Sequence, residues 1–206
     1  MKKKDLILVV LLLSIITMLL GFSAAVFFYL GNGSTNNVIQ TGRIIFSYSD
    51  ADLGSEDGNG IDMVDAIPIS DANGKILSSP KEYFDFTVSA STTSTDLVYE
   101  IVANKQETST MNEGVVKIYL TEFNGSNEVE TPITGGTLTP TYAELEDTTN
   151  TLLSGKTIYY GKVLAGEVAY AKKFRLRMWL DNRATSDEIG ESTFKIRVNV
   201  AALGNN

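Results

Sequence analysis

Phe174-Arg175-Leu176-Arg177-Met178-Trp179-Leu180 sets an apolar side chain at every second position, with Arg175, Arg177 and Trp179 between them. Successive side chains of a strand point to opposite faces, so this period of two reads as a strand with one buried and one wet face. Phe194-Lys195-Ile196-Arg197-Val198-Asn199-Val200 repeats the pattern, as do Phe84, Phe86, Val88 and Ala90 and then Val116, Ile118 and Leu120. Antiparallel sheets packed face to face require this alternation. Weaker strands are predicted at 38–48, 63–69, 97–103, 129–133, 138–142 and 157–163, and Asn73-Gly74, Asn124-Gly125, Gly135-Gly136 and Ala165-Gly166 supply turns between them. About nine to ten short strands at this spacing predict an all-β fold, an antiparallel β-sandwich of jelly-roll-like form. Helical turns near 142–153 and 184–189 have no caps to support them, and no internal repeat is present.

Ahead of this domain the chain changes character. Lys2, Lys3 and Lys4 precede an apolar run from residue 6 to residue 30 that only Ser14, Thr17, Gly21 and Ser23 interrupt. A lysine cluster before such a run stays in the cytoplasm, which places the remainder of the chain on the outer face of the membrane or beyond it. About 25 apolar residues are enough to span a bilayer as a retained helix. The first 15, followed by Gly21-Phe22-Ser23-Ala24-Ala25, equally make a secretory signal cut after Ser23 or Ala25. Residues 1–30 are thus a signal peptide or an amino-terminal membrane anchor, 31–37 a Gly/Asn/Ser linker, and 38–206 an extracellular sandwich domain. The Gly21-Phe22 pair resembles a type IV prepilin cut, but only nine residues, Phe22 to Leu30, would stand between that cut and Gly31 and no acid stands at Val26, so that reading fails.

Composition excludes most enzyme chemistry. The chain has no histidine and no cysteine, so it holds no Ser–His pair, no thiol nucleophile, no histidine-bearing zinc site and no disulfide. Beyond Leu30 stand 14 basic and 24 acidic residues, a net charge of about −10 that repels nucleic acid and anionic lipid. No catalytic residue, cofactor or metal ligand set is assigned, and the protein is not expected to be an enzyme.

Three stretches could carry chemistry. The acidic run from Asp50 to Asp62 could supply oxygens to calcium, but Gly54 and Ser55 stand where an EF-hand needs a ligand and its invariant glycine, and a solvated loop is the better reading. Ser78-Ser79-Pro80-Lys81 matches S-x-x-K by chance: a proline interrupts it and the chain has neither S-D-N nor K-T-G beyond it. Paired carboxylates fit glycoside hydrolysis in any acidic β-protein, whereas a single tryptophan is few for a sugar cleft. Trp179, Arg175 and Arg177, with Lys195 and Arg197 on the last strand, would form a basic-aromatic stripe if the two strands paired. Such a stripe is either cross-strand decoration or a contact for an acidic face of another copy.

Asn36-Asn37-Val38-Ile39-Gln40-Thr41-Gly42-Arg43-Ile44, coming after an apolar signal and a small-residue step, resembles the opening of the TasA/camelysin group of secreted proteins. Phe84-Asp85-Phe86-Thr87-Val88 with Ser94-Thr95-Asp96-Leu97-Val98-Tyr99 is similar to a strand pair of that group, and Gly190 to Val198 to its closing strand. The resemblance implies an extracellular jelly roll, in some members a biofilm-matrix fibre subunit. It also implies that an amino-terminal strand of one copy completes the sheet of the next, with Val38, Ile39, Ile44, Ile45 and Phe46 as donor positions. The metalloprotease activity attached to the camelysin branch does not transfer, since the chain has no histidine. The sequence thus supports two expectations. One is a non-enzymatic structural protein whose partner is itself; the other is a membrane-anchored monomeric sandwich whose loops bind glycan, a host surface or calcium.

Overall fold

The computed structural model describes residues 60–204 apart from 80–81, 152 and 190–191, together with the strand residues 29–30, 37–41 and 44–50. The signal or anchor at 1–28, the linker at 31–36, most of the acidic run and the second half of Ser78–Lys81 lie outside the described residues. The strands are β1 (Tyr29–Leu30), β2 (Asn37–Thr41), β3 (Ile44–Asp50), β4 (Gly60–Val64), β5 (Pro68–Ile69), β6 (Tyr83–Thr92), β7 (Leu97–Lys105), β8 (Val116–Asn124), β9 (Asn127–Glu130), β10 (Lys156–Val163), β11 (Tyr170–Asp181) and β12 (Thr193–Gly204).

They form two sheets. In the first, β10, β7 and β12 are neighbours, and β4 and β1 pair with successive parts of the far side of β12. The second runs β2-β3-β6-β11-β8-β9, with β5 joining the end of β11 in parallel. The alternating residues read from the sequence meet between the sheets. Phe84, Phe86, Phe174, Leu176, Ile118 and Leu120 from the second face Phe194, Ile196, Val198, Val200, Tyr99 and Ile101 from the first, all with 0% exposure. Phe86 stacks between Phe84 and Phe174 at centroid distances of 5.6 and 5.4 Å. Each such ring contributes about 1.5–3 kcal/mol by leaving water, and this core stands in for the absent disulfides.

Turn chemistry holds where glycine must supply a positive φ. Asn124 pairs with Asn127 across a two-residue loop in which Gly125 has φ 61°, so β8 and β9 close as a tight hairpin. Three expectations change. The strand expected at 138–142 is a single bridge, Lys117 to Thr141, followed by a 3-10 turn at Tyr142–Glu144; Pro140 brings no N–H to a ladder. The stretch 63–69 breaks at Asp65, which turns the chain at φ 50° between β4 and β5. The helical turns do have caps. Glu144 accepts the Thr141 N–H at 2.7 Å, and Glu188 accepts both N–H and hydroxyl of Thr185 at 2.9 Å ahead of the turn Ser186–Ile189. Both are Thr-x-x-Glu capping pairs, a signal present in the sequence.

Candidate functional site

The five donor positions come together in one hairpin. Val38 and Ile39 on β2 stand opposite Ser47 and Phe46 on β3, and Ile44, Ile45 and Phe46 stand opposite Thr92, Ser91 and Ala90 of β6. Without β3 the ten-residue β6 would present an open row of backbone donors and acceptors. At the other sheet, Tyr29 and Leu30 pair with Ala202 and Ala201 of β12. The sequence reading had absorbed these two residues into the apolar run, because two residues are too few to show a period. The amino-terminal segment thus reaches an edge of each sheet.

The basic-aromatic stripe is corrected. β11 and β12 lie in different sheets, so Arg175 and Arg177 never meet Lys195 and Arg197 across a strand pair. Lys195 and Arg197 face Asp62 on β4, at 3.8 and 2.5 Å, which gives this end of the acidic run a structural task. On the second sheet Arg175 clasps both oxygens of Asp85 at 2.6 and 2.8 Å and reaches Glu128 at 2.9 Å. Arg177, only 4% exposed, forks onto Glu128 at 2.6 and 3.0 Å and donates its Nε to the Leu77 carbonyl at 2.8 Å. The Arg175 guanidinium also lies 4.0 Å from the Tyr83 ring centre, a cation–π contact.

These contacts set the titration of the cluster. Burial pushes Asp85 up, but hydrogen bonds and charge from Arg175 and Lys173 outweigh it and leave the carboxyl below its ordinary value. The Arg177 hydrogen bond holds Glu128 low, with the Thr121 hydroxyl and Arg175 adding to it. Every cation of the stripe therefore has a carboxylate against it, and the face is a locked lattice of ion pairs. Asp85 and Glu128 are the residues that sequence reasoning missed; they become legible once register sets Asp85 opposite Arg175.

Trp179 is 2% exposed, against the expectation of a wet-face ring. A helical turn at Asp71–Gly74, capped by Ser70, roofs it. A Cβ on Gly74 would stand 2.2 Å from the indole. Gly74→Ala is therefore expected to lift this turn, shift the emission of the sole tryptophan to the red, and destabilise the chain by about 1–3 kcal/mol. Unchanged emission would refute the close approach. Among the described residues no group of three or more acidic side chains is placed to hold a metal ion.

The fold defines a class, the all-β sandwich of two packed, mainly antiparallel sheets. No family model matches the chain, and no curated protein matches it in sequence. Among solved structures it is similar to a β-glucosidase from Kluyveromyces marxianus in complex with glucose, at 12% identity and TM-score 0.27 over 84% of this chain and 19% of that one. It is also similar to TmCBM61 in complex with beta-1,4-galactotriose, at 11% identity and TM-score 0.23 over 78% of this chain and 88% of that one. A GH31 alpha-xylosidase from Xanthomonas citri is similar at 6% identity and TM-score 0.19, over 88% of this chain and 20% of that one. The chain spans about a fifth of the length of the glucosidase and the xylosidase. Likenesses this slight carry no argument about activity or ligand.

Proposed function

We propose that the chain is a non-enzymatic extracellular structural protein, a cell-surface or matrix fibre subunit that joins copies of itself by β-strand addition. One observation carries this reading. Counted along the chain, β4 and β6 to β12 run first-eighth-third-sixth in one sheet and second-seventh-fourth-fifth in the other. That order supports a jelly roll already complete in eight strands. β1, β2 and β3 are additions to its edges, and the same segment pairing with β6 of another copy would extend a head-to-tail chain. The lysine-headed apolar run supports export across the cytoplasmic membrane, and the resemblance to TasA/camelysin proteins agrees with both points.

The test is expression of the full chain in a Gram-positive host, with intact mass and electron microscopy of the exported product. We expect a mass lacking the first 23 to 25 residues, fibres in the supernatant, and loss of fibres on deleting residues 29–50. The truncated protein should then bind a peptide of residues 37–50 one to one. Fibres that persist after the deletion, or a full-length chain confined to the membrane as a monomer, would sink the proposal; the second result favours a tethered binding module.

A further inference from the structure

The outward face of the first sheet carries a polar cluster that the ion pairs leave untouched. Glu100 on β7 is 0% exposed, and its Oε1 accepts the hydroxyls of Thr157 and, at 3.4 Å, Tyr160, both on β10. Among the described residues its Oε2 has no hydrogen-bond partner, and neither has Oδ1 of Asn199 on β12, a residue 4% exposed. Register brings these groups together. Glu100 stands opposite Ala201 and Val102 opposite Asn199, so Glu100 and Asn199 are diagonal neighbours on one face. Diagonal neighbours lie roughly 7–8 Å apart, within reach of one shared ligand. On the other flank Tyr160 stands opposite Glu100 and Thr157 opposite Val102. Oxygens from β10 and β12 thus flank one carboxylate on β7.

A buried carboxylate is strongly unfavourable without a positive charge beside it. Among the described residues the cations on β10 and β12 are engaged elsewhere: Arg197 and Lys195 with Asp62, Lys162 with Asp96, Lys156 with Asp147. We propose that Glu100 and Asn199 hold one alkali-metal cation on this face. Charge selects monovalence, because one carboxylate among neutral oxygens neutralises a single positive charge, and a divalent ion would leave an excess charge buried. Hard oxygen donors select an alkali ion over a transition metal. The ion ties β10, β7 and β12 together in the row where Leu30 of β1 pairs with Ala201. This inference rests on the sandwich and not on fibre formation.

The full chain, kept in a mild non-ionic detergent, would be unfolded thermally in choline chloride while sodium or potassium chloride replaces the choline at constant ionic strength. We expect a saturable rise of the midpoint, about 3–6 °C at a tenfold excess over the dissociation constant. Glu100→Gln should lose that rise, and Glu128→Gln, altered on the other sheet, should keep it. Broadening of the ²³Na resonance by the wild-type chain, relieved by potassium, checks the site without any variant. Equal midpoints in choline, sodium and potassium, an unbroadened resonance, or a Glu100→Gln chain with the wild-type salt response would overturn the proposal. A response confined to Ca²⁺ or Mg²⁺ would overturn the monovalent assignment.

Discussion

Gly161→Ala is expected to destabilise the chain by about 3 kcal/mol, the upper part of the range for forcing atoms into a packed core. Gly161 lies on β10 opposite Tyr99, and a Cβ there would stand 2.0 Å from Cζ of that ring and 2.3 Å from its oxygen. The ring cannot swing away cheaply. Tyr99 is 0% exposed, and its hydroxyl lies 2.6 Å from that of Tyr170 on β11, a polar tie between the two sheets. Burial, then the bond to Tyr170, drives the Tyr99 phenol far above its ordinary value, while burial pushes Tyr170 up to about 12. Both therefore stay neutral hydroxyls at any ordinary pH. Tyr99→Phe alone leaves the Tyr170 hydroxyl buried without that partner and should remove about 1–2 kcal/mol. Urea unfolding of Gly161→Ala, Tyr99→Phe, Tyr99→Leu and the pair Gly161→Ala/Tyr99→Leu checks the account. The smaller side chain should relieve the clash, so the pair departs from additivity by more than ~0.5 kcal/mol. A Gly161→Ala chain within ~0.5 kcal/mol of wild type would refute the close approach.

How much of this was legible in the sequence depended on whether a strand buries one face or two. β6, β11 and β12 announce themselves by strict alternation, because their apolar residues face one core. β7 gives a weaker signal: Tyr99 and Ile101 face the core while Glu100 and Val102 are buried on the opposite side, which blurs the period. β9 is exposed at all four positions and has no apolar face to read. At 138–142, Leu138 and Tyr142 imitate alternation around a proline that has no N–H to give a ladder.

The site was less legible than the strands, for reasons of distance along the chain. Trp179 does point away from the core, as its place between Met178 and Leu180 implied. Its roof comes from a turn about a hundred residues upstream; Asn73-Gly74 announces the turn, but nothing local announces that it packs on Trp179. Arg177 likewise draws its neutralising group from β9, 49 positions away, and its backbone acceptor from Leu77, 100 positions away. A stripe of cations read from two strands therefore looked available for a partner when each member was already matched.

Acid should release that lattice, and this is the second large effect. Asp85 and Glu128 both titrate lower in the folded chain than in the unfolded one. Their contribution is complete above the unfolded carboxylate range, near pH 4, and is lost as pH falls through the lowered folded values. Unfolding midpoints should therefore hold from pH 7 to about 5 and drop steeply below about 4. Glu128→Gln should lower the midpoint at pH 7 and flatten that drop. Arg177→Met should remove about 1.5–3 kcal/mol at pH 7, because it strips Glu128 of its fork and the Leu77 carbonyl of its donor. Trp179 reports the outcome directly. Arg177 ties the segment just after the roof to β11, so tryptophan emission and far-ultraviolet circular dichroism should move together through the acid transition. Emission that shifts at higher pH than the circular dichroism would mean that the roof opens by itself and that the lattice does not hold it. A drop as steep in Glu128→Gln as in the wild type would assign the acid lability to other carboxylates.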